Sequence, residues 1–275
     1  MRVECEICPH RCKIEEGHVG LCKGRMNKKG KIISANYGKL TAVALDPIEK
    51  KPLYHFHPGS KILSVGSYGC NLNCPFCQNC DISMVGSDEV ETSEIICEEL
   101  VQKALLLKNQ GNIGIAYTYN EPLIGYEFVR DCAILTRQNG LKNVVVTNGY
   151  ICEKPLIELL PVIDAFNIDL KGFTEEYYHK LRGDLRTVKH SIELAAEQCH
   201  VEVTTLIVPG ENDSEEEMEE LSGWLAGVNP EIPLHISRFF PRWHMQDRDA
   251  TPVQQVYHLA EVARKNLKYV YEGNC

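Results

Sequence analysis

Thiols carry the chemistry that is easiest to read in this sequence. Cys70, Cys74 and Cys77 form a Cys-x3-Cys-x2-Cys loop directly after an apolar run. Three thiolates this close together can wrap one face of an iron–sulfur cube. A structural zinc normally takes four protein ligands in a closed tetrahedron. With three ligands, one iron stays open, and an open metal position is where reactions occur. A fourth thiolate from Cys80 would instead make an ordinary electron-transfer centre. Its closeness to Cys77 favours a side chain turned away.

A second set, Cys5, Cys8, Cys12 and Cys22, places four thiols within the first 22 residues, with His10 and His18 as alternates. That pattern fits tetrahedral zinc or a second iron–sulfur cluster. The thiols could also be free. A bound metal in a structural role is favoured, because residues 1–30 are polar and lack an apolar core of their own. Cys97, Cys132, Cys152, Cys199 and Cys275 stand alone in the sequence and read as small hydrophobes.

The composition limits where such thiols can work. The 13 cysteines are odd in number, and the opening MRVECEICPHRCK has no apolar signal core. Both features point to a reducing cytoplasm. With Lys+Arg 29 against Asp+Glu 38, the net charge is −9, which argues against nucleic acid as a partner. No stretch approaches the ~20 apolar residues of a membrane span. A hydrophobic fraction of 44% over 275 residues allows a large core.

The elements that must position the thiols follow from the apolar pattern. Residues 1–30 read as a Cys-rich metal-binding segment and 31–60 as a short β-rich cap. From 61 to 275 strands and helices alternate. Strand-like runs cover 62–69, 113–119, 143–149, 164–170, 201–209 and 233–237. Helix-like segments cover 94–110, 125–139, 154–161, 187–198, 214–227 and 252–266. Ser214-x-x-Glu217 is a capping-box pattern at the start of an acidic helix. Six alternating units give a parallel sheet with right-handed crossovers, an α/β partial (β/α)6 TIM-like barrel. Its site belongs at the C-terminal ends of the strands. There the sequence places Cys70 to Cys77, Tyr119-Asn120-Glu121-Pro122, Thr147-Asn148-Gly149, Asp169-x-Lys171, Val208-Pro209-Gly210 and His235 to Arg238.

With these motifs together, the chain resembles the radical S-adenosylmethionine (SAM) superfamily. CNLNCPFCQN (70–79) resembles its cluster loop. YNEP (119–122), TNG (147–149), DLK (169–171) and VPGEND (208–213) resemble successive motifs of the pyruvate formate-lyase activating enzyme group. CEICPHRC…GLC, LDPIEKKPLYHFHPGS and HISRFFP resemble AmmeMemoRadiSam-type proteins. The resemblance implies a 4Fe–4S cluster on Cys70, Cys74 and Cys77, with SAM on the open iron. Reductive cleavage of SAM then yields a 5′-deoxyadenosyl radical that abstracts hydrogen. It also implies cofactor contacts from further positions: Phe76 near adenine, Asn120 and Glu121 at the SAM amino group, and Thr147 and Asn148 at ribose or carboxylate. Asp169 and Lys171 would meet the methionine end, Leu206 would pack on adenine, and His235 and Arg238 would face SAM or substrate. Tyr119-Asn120 replaces the commoner Gly-Gly of that motif. Read without the family, Asp169 and Lys171 are a rim salt bridge and His235 a structural histidine.

The expected function is an anaerobic radical SAM oxidoreductase, similar to a glycyl-radical-enzyme activase, acting on a protein or peptide and drawing electrons from a flavodoxin or ferredoxin. A radical SAM modifier of a small molecule or peptide is the alternative within enzymes. An iron–sulfur electron carrier or metal-binding adaptor is the alternative outside them.

Overall fold

Each apolar run becomes a strand because neighbouring strands and crossover helices cover both of its faces. The computed structural model describes Met1–Cys275. Its main sheet holds eight strands in chain order: β1 (Ala42–Pro47), β2 (Lys61–Gly66), β3 (Asn112–Tyr117), β4 (Lys142–Thr147), β5 (Ala165–Asp169), β6 (His200–Ile207), β7 (Leu234–Arg238) and β8 (Val270–Gly273). Strands β2 to β8 are parallel, each paired with the next, and β1 lies antiparallel to β2. β1 and β8 are the two edges of the sheet, so the winding is that of a partial TIM barrel.

The six expected strands are β2 to β7. Two edge strands extend the sheet beyond six. β1 comes from the 31–60 stretch, and β8 is a four-residue strand too short to stand out as an apolar run. The capping pattern at Ser214 is half used: its hydroxyl accepts from the Glu217 N–H at 3.2 Å. The Glu217 carboxylate instead accepts from the Phe173 N–H at 2.5 Å, tying the helix Glu215–Val228 to the loop after β5.

The segment between β1 and β2 plugs the lower end of the barrel. Ile48, Leu53 and Phe56 are buried against Ile62, Ala116, Val144 and Ala165. Burying side chains of this size contributes ~1.5–3 kcal/mol each. Two polar groups hold the plug. Asn167 Nδ2 donates to the Pro52 carbonyl at 2.9 Å. The fully buried Glu202 carboxylate accepts from the backbone N–H groups of Tyr54 and His55 at 2.9 and 2.7 Å. With the lower end closed, the upper end is left for chemistry.

The first 34 residues form two small hairpins, Val3–Glu4 with Lys13–Ile14 and Arg25–Lys28 with Lys31–Ser34. They lean on the barrel through the Cys152 N–H to Ile7 carbonyl bond of 2.9 Å and a two-pronged Arg25–Glu127 pair.

Candidate active site

The loop after β2 is shaped mainly by one amide. Asn120 Oδ1 accepts from the Ser67 N–H at 2.9 Å, and its Nδ2 donates to the Tyr68 and Gly69 carbonyls at 3.1 and 3.0 Å. Gly69 has φ +86°, and a Cβ there would lie 2.3 Å from the Cys22 carbonyl oxygen, so only glycine fits. Cys70, Cys74 and Cys77 then line one cavity of about 350 Å³ at the C-terminal ends of the strands. The Leu72 N–H points at Cys70 Sγ (3.4 Å). Cys80 opens the short helix Cys80–Ser83, faces Asp81 and lies outside the cavity lining.

All three thiols are desolvated by burial. Burial pushes Cys74 up to about 12, raises Cys77, and lifts Cys70 well above an ordinary thiol, the neighbouring Glu121 adding to the effect on Cys70. A cation is what would keep such sulfurs ionised. The three do not converge on one ion-sized point. A cube offers a separate iron to each thiolate, so its ligands stay spread across a face.

Glu121 forms the wall beside Cys70. Its carboxylate accepts from the Leu123 N–H (2.9 Å), the Thr147 hydroxyl (2.8 Å) and the Asn148 N–H (2.8 Å). Burial pushes its pKa up to about 7 despite these donors. Asn148 Nδ2 reaches Asn71 Oδ1 at 2.9 Å and Cys70 Sγ at 3.6 Å. The TNG turn therefore links Glu121 to the cysteine loop.

Asp169 and Lys171 stand at the end of β5, with Lys171 Nζ 2.8 Å from Asp169 Oδ2. Burial opposes the lysine charge, but Asp169 and the nearby Cys74 outweigh it and hold the ammonium pKa above its ordinary value. Asn212 fixes this corner by accepting from the Val208 N–H and donating to the Lys171 and Leu206 carbonyls. Phe76 stacks on Tyr177 with centroids 6.4 Å apart. Phe76 and Leu206 both line the cavity.

The radical SAM superfamily model matches residues 64–222, more than half of the chain. The chain belongs to the radical SAM superfamily. An uncharacterized protein of Methanocaldococcus jannaschii is 41% identical over 99% of this chain and 81% of its own. The pyruvate formate-lyase 1-activating enzyme of Escherichia coli strain K12 is 29% identical over 56% of this chain, a match spanning 63% of that enzyme. A crystal structure of a radical SAM methyltransferase from Sphaerobacter thermophilus aligns with TM-score 0.60 at 16% identity, covering 79% of this chain and 67% of that one. Streptococcus suis SuiB bound to S-adenosylmethionine aligns with TM-score 0.60 at 13% identity, covering 78% and 52%. These structural likenesses carry the fold. Membership in the radical SAM superfamily implies a 4Fe–4S cluster and SAM.

Eight of the ten cofactor positions expected from sequence line the radical SAM cavity: Phe76, Asn120, Glu121, Thr147, Asn148, Asp169, Lys171 and Leu206. His235 and Arg238 do not, and their placement corrects the expectation. His235 pairs with Thr204 one layer below the rim and bonds Glu202 at 2.6 Å, inside the floor of the barrel. Arg238 turns outward, its Nε donating to the Thr251 carbonyl at 2.6 Å. Ser237, paired with Leu206, is the β7 residue that faces the cavity.

Sequence reading missed Lys51 and gave Tyr119 no role beyond its place in the YNEP motif. Lys51 is 4% exposed, 2.8 Å from Asp46 Oδ2 and 4.6 Å from the centre of the Tyr119 ring. Tyr119 has φ +71° and donates to the same Asp46 oxygen at 2.7 Å. The KK pair of LDPIEKKPLYHF is the signal that was available, since buried lysines need partners. No helix is long and apolar enough to cross a membrane.

Proposed function

We propose that this radical SAM protein is an enzyme that takes a hydrogen atom from a protein or peptide substrate, with Cys70, Cys74 and Cys77 as the cluster ligands. The observation that carries the reading is the shared cavity. Three thiols of one loop face Glu121, Asn148, Asp169 and Lys171 across about 350 Å³. When bound, the cluster would supply one electron for reductive cleavage of SAM.

The protein's own groups bind, orient and shield. Asp169 and Lys171 offer both charges that the carboxylate and ammonium of an amino acid require. Glu121, with its pKa near 7, accepts a donor or holds a proton at its own carboxyl. Phe76 and Leu206 give a purine an apolar seat. The plug below excludes water from the lower end, so the reacting atoms meet the substrate only through the mouth. A flavodoxin- or ferredoxin-type donor in an anaerobic, reducing cytoplasm would supply the electron.

A protein or peptide substrate is supported by the relatives. One is a pyruvate formate-lyase activating enzyme, and SuiB has been solved with precursor peptide SuiA, aligning at TM-score 0.59. The test is anaerobic reconstitution, dithionite reduction and assay for 5′-deoxyadenosine, followed by deuterium transfer from a labelled peptide. Cluster assembly without 5′-deoxyadenosine would favour an electron carrier. Product without deuterium uptake from any peptide would move the substrate to small molecules.

A further inference from the structure

We propose that Cys97 and Cys132 are a redox pair that hydrogen peroxide closes to a disulfide, pinning together the two helices that cover β3. The amino-terminal thiols Cys5, Cys8, Cys12 and Cys22 line one small space, yet no three of them are arranged to hold a metal ion. Cys97 and Cys132, 35 residues apart in the chain, do meet: their sulfurs lie 2.8 Å apart. A disulfide is about 2.05 Å long, so closing the bond needs under ~1 Å of movement.

Both sulfurs are placed by helices. Cys97 opens the helix Cys97–Leu106, and Cys132 sits midway along the helix Tyr126–Gln138. The two helices pack on each other and on β3, the strand that leads into Tyr119, Asn120 and Glu121. Both cysteines are buried, and neither lines the cavity of Cys70, Cys74 and Cys77.

The two thiols differ in the roles they can take. The Cys132 thiol donates to the Cys97 sulfur, and this bond outweighs burial and holds the Cys97 pKa below its ordinary value. The first turn of a helix also favours a thiolate. The same bond, together with burial, pushes Cys132 up. A thiol with thiolate character beside a resolving cysteine is the arrangement of a redox sensor.

Tyr37 joins the pair to the surface. Its hydroxyl lies 3.6 Å from the Cys97 sulfur and donates to Asp131 at 2.9 Å. Its ring stands edge-on to Phe128, and the residue is 43% exposed. Rotation of this one surface side chain would admit a molecule as small as hydrogen peroxide.

The chemistry balances in two steps. Cys97 sulfur attacks one peroxide oxygen; an S–O bond forms, the O–O bond breaks, and hydroxide leaves with a proton as water. Cys132 sulfur then attacks the Cys97 sulfenic acid; the S–S bond forms, the S–O bond breaks, and a second water carries off the Cys132 proton. Two electrons pass from the thiols to the peroxide, and a dithiol reductant returns them.

The test uses the full chain and does not depend on the reading of the barrel. After peroxide treatment, blocking of free thiols and digestion at Glu, Lys and Arg, segments 95–98 and 131–137 should be recovered joined by a bond that dithiothreitol breaks. These segments hold Cys97 and Cys132 and no other cysteine, so damage to the thiol loop cannot mimic the result. Cys132→Ser should leave Cys97 as a sulfenic acid that dimedone labels, and Cys97→Ser should leave Cys132 unlabelled. Closure should raise the melting temperature by roughly 5–10 °C over the Cys132→Ser protein treated alike. Recovery of the two segments unlinked, or of Cys97 joined to another cysteine, would overturn the proposal. Dimedone on Cys132 in place of Cys97 would overturn the assigned roles, and an unmoved melting temperature would refute the pinning of the helices.

Discussion

Lys171 Nζ lies 2.8 Å from Asp169 Oδ2, and the two side chains are 16% and 33% exposed. This is no fully solvated rim pair. A desolvated charge-assisted contact with SAM is worth ~1.5–3 kcal/mol, and every 1.4 kcal/mol is tenfold in affinity. An exposed salt bridge contributes only ~0–1 kcal/mol. Lys171→Ala should therefore weaken SAM binding at least tenfold by calorimetry while the melting temperature without SAM moves little. Affinity within twofold of wild type, with a lowered melting temperature, would make the pair structural.

Each of Cys70→Ala, Cys74→Ala and Cys77→Ala should abolish the reduced-cluster EPR signal that responds to SAM. Cys80→Ala should keep it, because that thiol faces Asp81 outside the cavity. Loss of the signal in the Cys80 variant would mean a fourth ligand and a different centre.

Gly66 makes room for Tyr119. A Cβ at 66 would lie 2.8 Å from the Tyr119 ring and 3.2 Å from the Thr118 carbonyl oxygen. Gly66→Ala should cost ~1–3 kcal/mol from overpacking. Combined with Tyr119→Gly, the loss should be smaller than the sum of the two single changes, since contacting sites couple. Strict additivity in denaturant titrations would count against the contact.

Glu202 should govern stability in acid. Burial opposes its charge, but hydrogen bonds from His200, His235 and the backbone of Tyr54 and His55 hold its pKa down to about 2. A depressed carboxylate stabilises fully above its unfolded value near ~4.3 and loses that contribution as pH falls toward 2. The full amount is about 3 kcal/mol on that scale. Glu202→Gln should lower the melting temperature at pH 6 and flatten its decline between pH 5 and 3. Parallel curves for the two proteins would sink the assignment.

Much of this was legible in the sequence because period and spacing survive folding. The six central strands, the thiol loop and the rim motifs all announce themselves locally. His235 was placed wrongly because strand residues two apart share a face but differ in depth, and sequence shows the face only. Lys51 and Asp46 escaped because their partner Tyr119 lies 73 residues from Asp46. Cys97 and Cys132 looked isolated, yet their sulfurs lie 2.8 Å apart across two helices. Contacts of this kind are set by how crossovers pack, which no local pattern encodes.

The strand order has a consequence for synthesis on the ribosome. Every strand of the main sheet pairs with its immediate predecessor, so a growing chain can add one unit at a time from the amino end. The floor is the exception: His55 bonds the Tyr271 hydroxyl at 2.6 Å across 216 residues. Glu202 likewise reaches the plug only after β6 has been made, and His235 joins it only after β7. A nascent chain thus holds its thiol loop and an unsealed barrel floor for most of its time on the ribosome.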